Sequence, residues 1–199
     1  ARGHVIEGAD TFVVQATTPE RVQLKIAISH ACLDSITPAE TVVCERAVLR
    51  YAVGQAAEVQ WQDGRVERLG LPPFDTLVDN HLEYYRYLRG EIDRPATTLV
   101  DSRAFVALND LAYVSSQKIV TLAADQVRSQ RNEQDQKNYF VINNLANTQD
   151  AFIHQGIWPS EAGWNRDAPA RLVGPSELAQ FRSVVHAMAA PGAEPKPGA

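Results

Sequence analysis

Several features that would announce a function are missing from this chain. Its 11 glycines are scattered, and none form a GxGxxG turn or a P-loop. Without such a turn no helix N-terminus is presented to a pyrophosphate, which excludes dinucleotide binding through the usual fingerprint. The five histidines, at positions 4, 30, 81, 154 and 186, never lie three or four residues apart. That spacing excludes a metal site on one helix face and leaves a dispersed one open. There is no GxSxG elbow and no HExxH helix. No apolar run approaches the roughly 18 residues of a membrane span, and Ala1–Asp10 has no apolar core of the signal-peptide kind. The two cysteines, Cys32 and Cys44, have no metal-ligand spacing and are expected as reduced core residues of a cytoplasmic protein. Positive charge is in short supply: Lys and Arg total 19 against 24 Asp and Glu, for a net charge of −5. A nucleic-acid partner, which would need a basic patch, is therefore not expected.

What is present is ordinary for a globular domain. Of 199 residues 45% are hydrophobic and 22% charged, enough for one core and one domain. We expect that domain to span residues 1–189, with 190–199, mostly Pro, Gly and Ala, as a disordered tail. The first third reads as strands. Thr11–Thr17 is followed by a Thr-Pro-Glu turn and then Arg21–Ser29, where Val22, Leu24, Ile26 and Ile28 alternate with polar residues. After an irregular connection over 31–39, short β-forming runs cover Glu40–Arg46 and Ala47–Val53. Glu58–Gln62 and Val66–Leu71 flank Asp63-Gly64, a strong hairpin signal.

The period changes at Pro72-Pro73. Phe74, Leu77, Val78, His81, Leu82, Tyr85 and Leu88 recur at helical spacing, with Asp75 as N-cap and Gly90 as C-terminal stop. A second helix is expected over Asp101–Ser116. Strands followed by helices, without alternation, predict an α+β fold: a largely antiparallel open sheet with helices packed on one face. Further on, Lys118–Leu122 reads as an edge strand, Gln126–Lys137 as a solvated loop or helix face, and Tyr139–Gln155 and Ser176–Ala189 as helices.

Two places attract a functional reading. Ser29 and His30 put a hydroxyl and an imidazole where an apolar strand gives way to a loop, and strand ends are where side chains meet ligands. Asn80 and His81 lie on the first helix beside Tyr84, Tyr85 and Tyr87. Hydrogen-bonding groups among flat rings suit a polyhydroxylated ligand. The plain alternative for His81, on the apolar stripe, is a half-buried structural histidine. Glu194-Pro195-Lys196-Pro197 has no apolar neighbours to lower the amine's pKa and is read as a decoy.

The succession of these pieces resembles the C-terminal domain of the glucose–fructose oxidoreductase / inositol dehydrogenase / rhizopine-catabolism (Gfo/Idh/MocA) family. The stretches that carry it are Ile6-Glu7-Gly8-Ala9-Asp10-Thr11 opening a strand and Ser29-His30-Ala31 ending the next. Val43-Cys44-Glu45-Arg46-Ala47 then makes a strand turn, ahead of the Asp63-Gly64 hairpin. The strongest piece is His81–Ser116, HLEYYRYLRGEIDRP, then Ala96, then TTLVDSRAFVALNDLAYVSS. The resemblance runs over roughly residues 5–120 and more loosely to about 185.

It implies a substrate-side domain of an NAD(P)-dependent oxidoreductase acting on a sugar, cyclitol or related hydroxyl compound. NAD or NADP would then bind a Rossmann domain that this stretch of chain lacks. Also lacking are that domain's Glu-Lys-Pro segment and the Asp-x-x-x-His pair of the following helix, so no catalytic residue is assigned here and the stretch alone is expected to bind no cofactor and be inactive. Ser29, His30, Asn80 and His81 are the expected substrate-binding residues. A homo-oligomer through the open sheet face is the expected assembly. The chain begins without Met, in keeping with a piece of a longer protein. Many family members carry a Gly-x-x-Gly strand turn where Cys44 and Ala47 stand. A non-catalytic oligomerisation module and a free-standing sugar-binding α+β protein are the alternatives.

Overall fold

The computed structural model describes residues 1–3, 8–32, 38–70, 72, 74–164 and 170–189. The fold is α+β, with antiparallel strands followed by helices. The chain divides into two compact units, Ala1–Asp34 with Val100–Ala199 and Ser35–Leu99, a division inside the stretch read above as one domain. Its strands sort into three antiparallel sheets: two hairpins and one four-stranded meander.

In the first unit, β1 (Thr11–Thr17) pairs with β2 (Gln23–Ser29) from Thr11↔Ser29 to Thr17↔Gln23. The turn closes through Thr18 N–H to Val22 O at 2.9 Å, with Arg21 at φ 67. The second hairpin is β7 (Val127–Arg131) with β8 (Asn138–Ile142). This corrects two expectations at once. The polar Gln126–Lys137 stretch contains a strand, and the Tyr139–Gln155 stretch starts as one before turning at Asn144, φ 57, into helix α3 (Leu145–Asp150). A π-helical turn, Ala151–Gln155, follows and ends at Gly156, φ 75, a backbone state that favours glycine. Lys25 Nζ of β2 donates to Ile153 O at 3.3 Å, a cation at the carbonyl end of that turn.

The expected edge strand Lys118–Leu122 is absent. A single bridge joins Arg2 to Thr121, with Arg2 N–H on Val120 O at 2.8 Å and Leu122 N–H on Arg2 O at 3.2 Å. Leu122 is driven inward to the core with Ala31, Ile142, Leu145 and Trp164, and Cys32 packs against them. The helix expected over 176–189 begins as a 3₁₀ segment, Pro175–Gln180, and continues as α4 (Phe181–Ala189). Residues 190–199 and the Glu194–Pro197 stretch lie outside the described residues.

In the second unit the meander is β3 (Ala39–Val43), β4 (Ala47–Ala52), β5 (Ala57–Trp61) and β6 (Val66–Leu69). The register puts Val42, Leu49 and Val59 in one row and Thr41, Arg50, Glu58 and Arg68 in another, on opposite faces of the pleat. Asp63-Gly64 makes the β5–β6 turn as expected: Gly64 has φ 86, and Asp63 Oδ1 accepts from Arg65 N–H at 2.9 Å. Cys44 sits exposed in the β3–β4 turn, against its expected place in a core.

Helix α1 (Thr76–Leu88) begins where Asp75 accepts from Leu77 and Val78 N–H, both at 3.0 Å. It ends at Gly90, φ 70, where the N–H groups of Gly90 and Glu91 bond to Tyr87 O and Arg86 O, the pairing that satisfies a helix's last carbonyls. Helix α2 (Leu99–Ser116) starts two residues before its expected boundary. No described helix is long and apolar enough to cross a membrane.

Candidate functional site

The structure does not gather the four expected site residues into one unit. Ser29 and His30 belong to the first, Asn80 and His81 to the second.

Ser29 is part of a buried polar network at the open end of the β1–β2 hairpin. Its Oγ lies 2.7 Å from Thr11 Oγ1, and it accepts from Ala31 N–H at 3.0 Å. Thr11 gives its single hydroxyl proton to Asp10 Oδ1 at 2.9 Å, so the Ser29 hydroxyl is the donor to Thr11. The second Asp10 oxygen accepts from Gly3 N–H at 2.7 Å, and Asp10 O accepts from His30 N–H at 2.8 Å. Asp10 and Thr11 are buried, and a buried carboxylate needs such partners. Ser29 is a strut of this network. The His30 ring faces solvent.

On α1, both candidates bond back to the helix. Asn80 Nδ2 donates to Thr76 O at 2.6 Å, and His81 Nδ1 lies 2.6 Å from Leu77 O. A carbonyl can only accept, so Nδ1 carries the proton and Nε2 is left as the acceptor nitrogen of the neutral ring. His81 is exposed, against the half-buried position its place on the stripe implied. Tyr84 and Tyr87 pair nearby with ring centroids 6.1 Å apart.

The first unit also holds a cleft of about 160 Å³ that sequence reasoning did not find. β1 contributes Phe12, Val13 and Val14, and the C-terminal turns of α2 contribute Ala112, Tyr113 and Ser116. Lys118, Ile119 and Val120 follow, and the Trp158–Ser160 turn and Trp164 complete the wall. The aromatic side chains are braced from behind. Tyr113 meets Phe12 edge-on at 5.4 Å and Phe181 at 6.1 Å, and Trp158 packs on fully buried Phe152 at 4.9 Å. Thr11 lines the same cleft, which puts Ser29 one hydrogen bond behind it. The missed signal was the pair Trp158 and Trp164 in a Gly- and Pro-containing stretch, large rings where a plain loop would have none.

One resolved shift of acidity is at the cleft: burial pushes the Ala1 amino group, which lines it and donates to Thr11 O at 2.8 Å, down to about 6, with Asp10 opposing; the others lie elsewhere. The Tyr139 hydroxyl donates to Asp135 in the β7–β8 turn, which holds that carboxyl below its ordinary 3.8 and pushes the phenol above 10.0. Glu177 is held below its ordinary 4.5 by the Gly174 N–H first and then by Arg171. Among the described residues no group of three His, Cys, Asp or Glu could hold a metal ion. Among the described residues the cleft offers rings, hydroxyls, the Lys118 ammonium and the Ala1 amino group. Set beside family models, curated proteins and solved structures, the chain matches none of them.

Proposed function

We propose that this chain is the substrate-side domain of an NAD(P)-dependent oxidoreductase of the Gfo/Idh/MocA kind, acting on a sugar, cyclitol or related hydroxyl compound. Residues that carry the resemblance sit at joints of the fold: Asp63-Gly64 at a hairpin and Gly90 at the stop of α1 in the second unit, and Ser116 at the end of α2 in the first. The observation that carries most weight is the state of His81. With Nδ1–H held by Leu77 O, its exposed Nε2 can accept a hydrogen bond from a substrate hydroxyl, beside the Asn80 amide and the Tyr84–Tyr87 pair. Hydride leaves a hydroxyl-bearing carbon only as the hydroxyl proton is taken up, and an acceptor that fixes the hydroxyl's direction orders the substrate for that step. NAD or NADP would be held by a Rossmann domain encoded upstream.

The reading frame before Ala1 gives the first test. A Gly-rich βαβ unit followed by Glu-Lys-Pro supports the proposal, and a start codon immediately before Ala1 refutes it. In the whole protein, assayed with a sugar and cyclitol panel, His81→Ala and His30→Ala should each raise KM or lower kcat without unfolding the chain. Unchanged kinetics in both would remove these residues from the site.

A second reading, an assembly module, is favoured by one observation. In the second unit Ala57 is the one buried hydrophobic among the described residues, and α1 leaves Leu77 68% and Leu88 61% exposed. Apolar surface on that scale marks a contact face. Light scattering that returns twice 21.9 kDa or more supports assembly, and a clean 21.9 kDa opposes it.

A further inference from the structure

The cleft of the first unit has a composition that selects a ligand, and this inference stands apart from the oxidoreductase reading. We propose that it is a binding site for a small organic anion with a flat apolar body, the chemistry of an aryl carboxylate.

The size argues for one ring. A cleft of about 160 Å³ is close to the roughly 150 Å³ of an apolar cavity that takes benzene, and is far too small for a nucleotide. The walls argue for a flat apolar body. Phe12, Tyr113, Trp158 and Trp164 present ring surface, and the contacts to Phe181 and Phe152 hold Tyr113 and Trp158 in place before any ligand arrives. Preformed apolar walls with a few polar groups are the usual makeup of a small-molecule site.

The charge argues for an anion. Among the described lining residues Lys118 has the one charged side chain, the Ala1 amino group is already engaged with Thr11 O at 2.8 Å, and no side chain is acidic. Neither the Lys118 ammonium nor the Ser160 hydroxyl makes a hydrogen bond within the described protein. An ammonium beside an apolar cleft, with no carboxylate on it among the described residues, is matched by a carboxylate at the ligand's outer end. A neutral polyol fits poorly, because the aromatic walls leave most of its hydroxyls without partners.

The test titrates the full chain with benzoate and with benzyl alcohol, its neutral near-isostere, by tryptophan fluorescence and by ligand-observed saturation-transfer NMR. Saturable benzoate binding is expected, about fivefold tighter than benzyl alcohol, the most that one exposed ion pair contributes. Lys118→Gln should bring the two ligands to equal affinity, and Ala112→Phe, which fills the cleft, should abolish both. Should Ala112→Phe fail to fold by circular dichroism, Ala170→Phe at the exposed rim replaces it. The proposal is overturned by a lack of saturation at millimolar benzoate, by equal affinity of the two ligands for the unmodified chain, or by undiminished binding once the cleft is filled.

Discussion

The two units are built on opposite terms. The first gathers residues from both ends of the sequence around Ala31, Val114, Leu122, Ile142, Leu145, Phe152 and Trp164, all buried. Ile142 N–H reaches Ala31 O at 3.0 Å, and Arg2 Nε reaches Thr121 Oγ1 across 119 residues of sequence. The second is held by neighbours: hairpin after hairpin, then a helix stopped by its own caps, with Ala57 the one hydrophobic it buries among the described residues. Local hydrogen bonding can therefore lay out a unit completely without supplying the burial that stabilises it, since most of the favourable free energy of folding comes from apolar area removed from water.

Substitutions sharpen the contrast. The largest effect is expected from Phe152→Ala, which empties a fully buried site against Trp158 and should cost about 3–5 kcal/mol in chemical denaturation. Its counterpart Leu82→Ala, on the exposed stripe of α1, should stay within about 0.5 kcal/mol. A Leu82→Ala cost of several kcal/mol would break the comparison, because it would mean that α1 is covered in solution. Next in size, Asp75→Ala removes the side-chain oxygen that Leu77 and Val78 N–H share, at a cost of about 1 kcal/mol. Hydrogen exchange at those two amides should quicken while the amides of Ile142 and Leu145 keep their rates.

The smallest effect is a pH dependence confined to the first unit. Glu177 has a depressed pKa, set by the Gly174 N–H and by Arg171, so its contribution is present above its ordinary 4.5 and is lost as pH falls through the lower folded value. Amide protection over Ser176–Gln180, taken relative to the intrinsic exchange rate at each pH, should fall in acid, and Glu177→Gln should flatten that fall. An unchanged acid response in the variant would dismiss the link.

Legibility from sequence followed the same division. Asp63-Gly64, Asp75 and Gly90 act through their own backbone and near neighbours, so their roles could be read directly. The stretches whose secondary structure was misread lie in the first unit, where distant partners decide; in the second, Cys44 and His81 were misread only in their burial. Val127–Arg131 is polar and becomes a strand because Tyr139, Phe140 and Val141 pair with it. Lys118–Leu122 has the apolar run of a strand, yet gains one bridge, because Leu122 is taken by the core. Asn144 at φ 57 broke the helix expected from Tyr139 onward, and the Asn143-Asn144 pair was a readable turn signal. The cleft was hidden for the same reason: Phe12, Tyr113 and Trp158 are far apart in sequence, and no local period joins them. Ser29 was legible as a strand-end polar group, but its engagement with Thr11 and Asp10 needed the fold.

The insertion of Ser35–Leu99 between the two segments of the first unit also sets an order of events. Closing a loop costs chain entropy that grows as the logarithm of its length, so an intervening stretch that has already collapsed shortens the effective loop its ends must close. The meander and α1 make short-range contacts that form early, whereas Ala31 must wait for Ile142 to be synthesised and then find it. Until that meeting the β1–β2 hairpin is alone, and a lone two-stranded hairpin is at best marginal in water. During synthesis the β1–β2 hairpin, made before the meander, is thus secured after it.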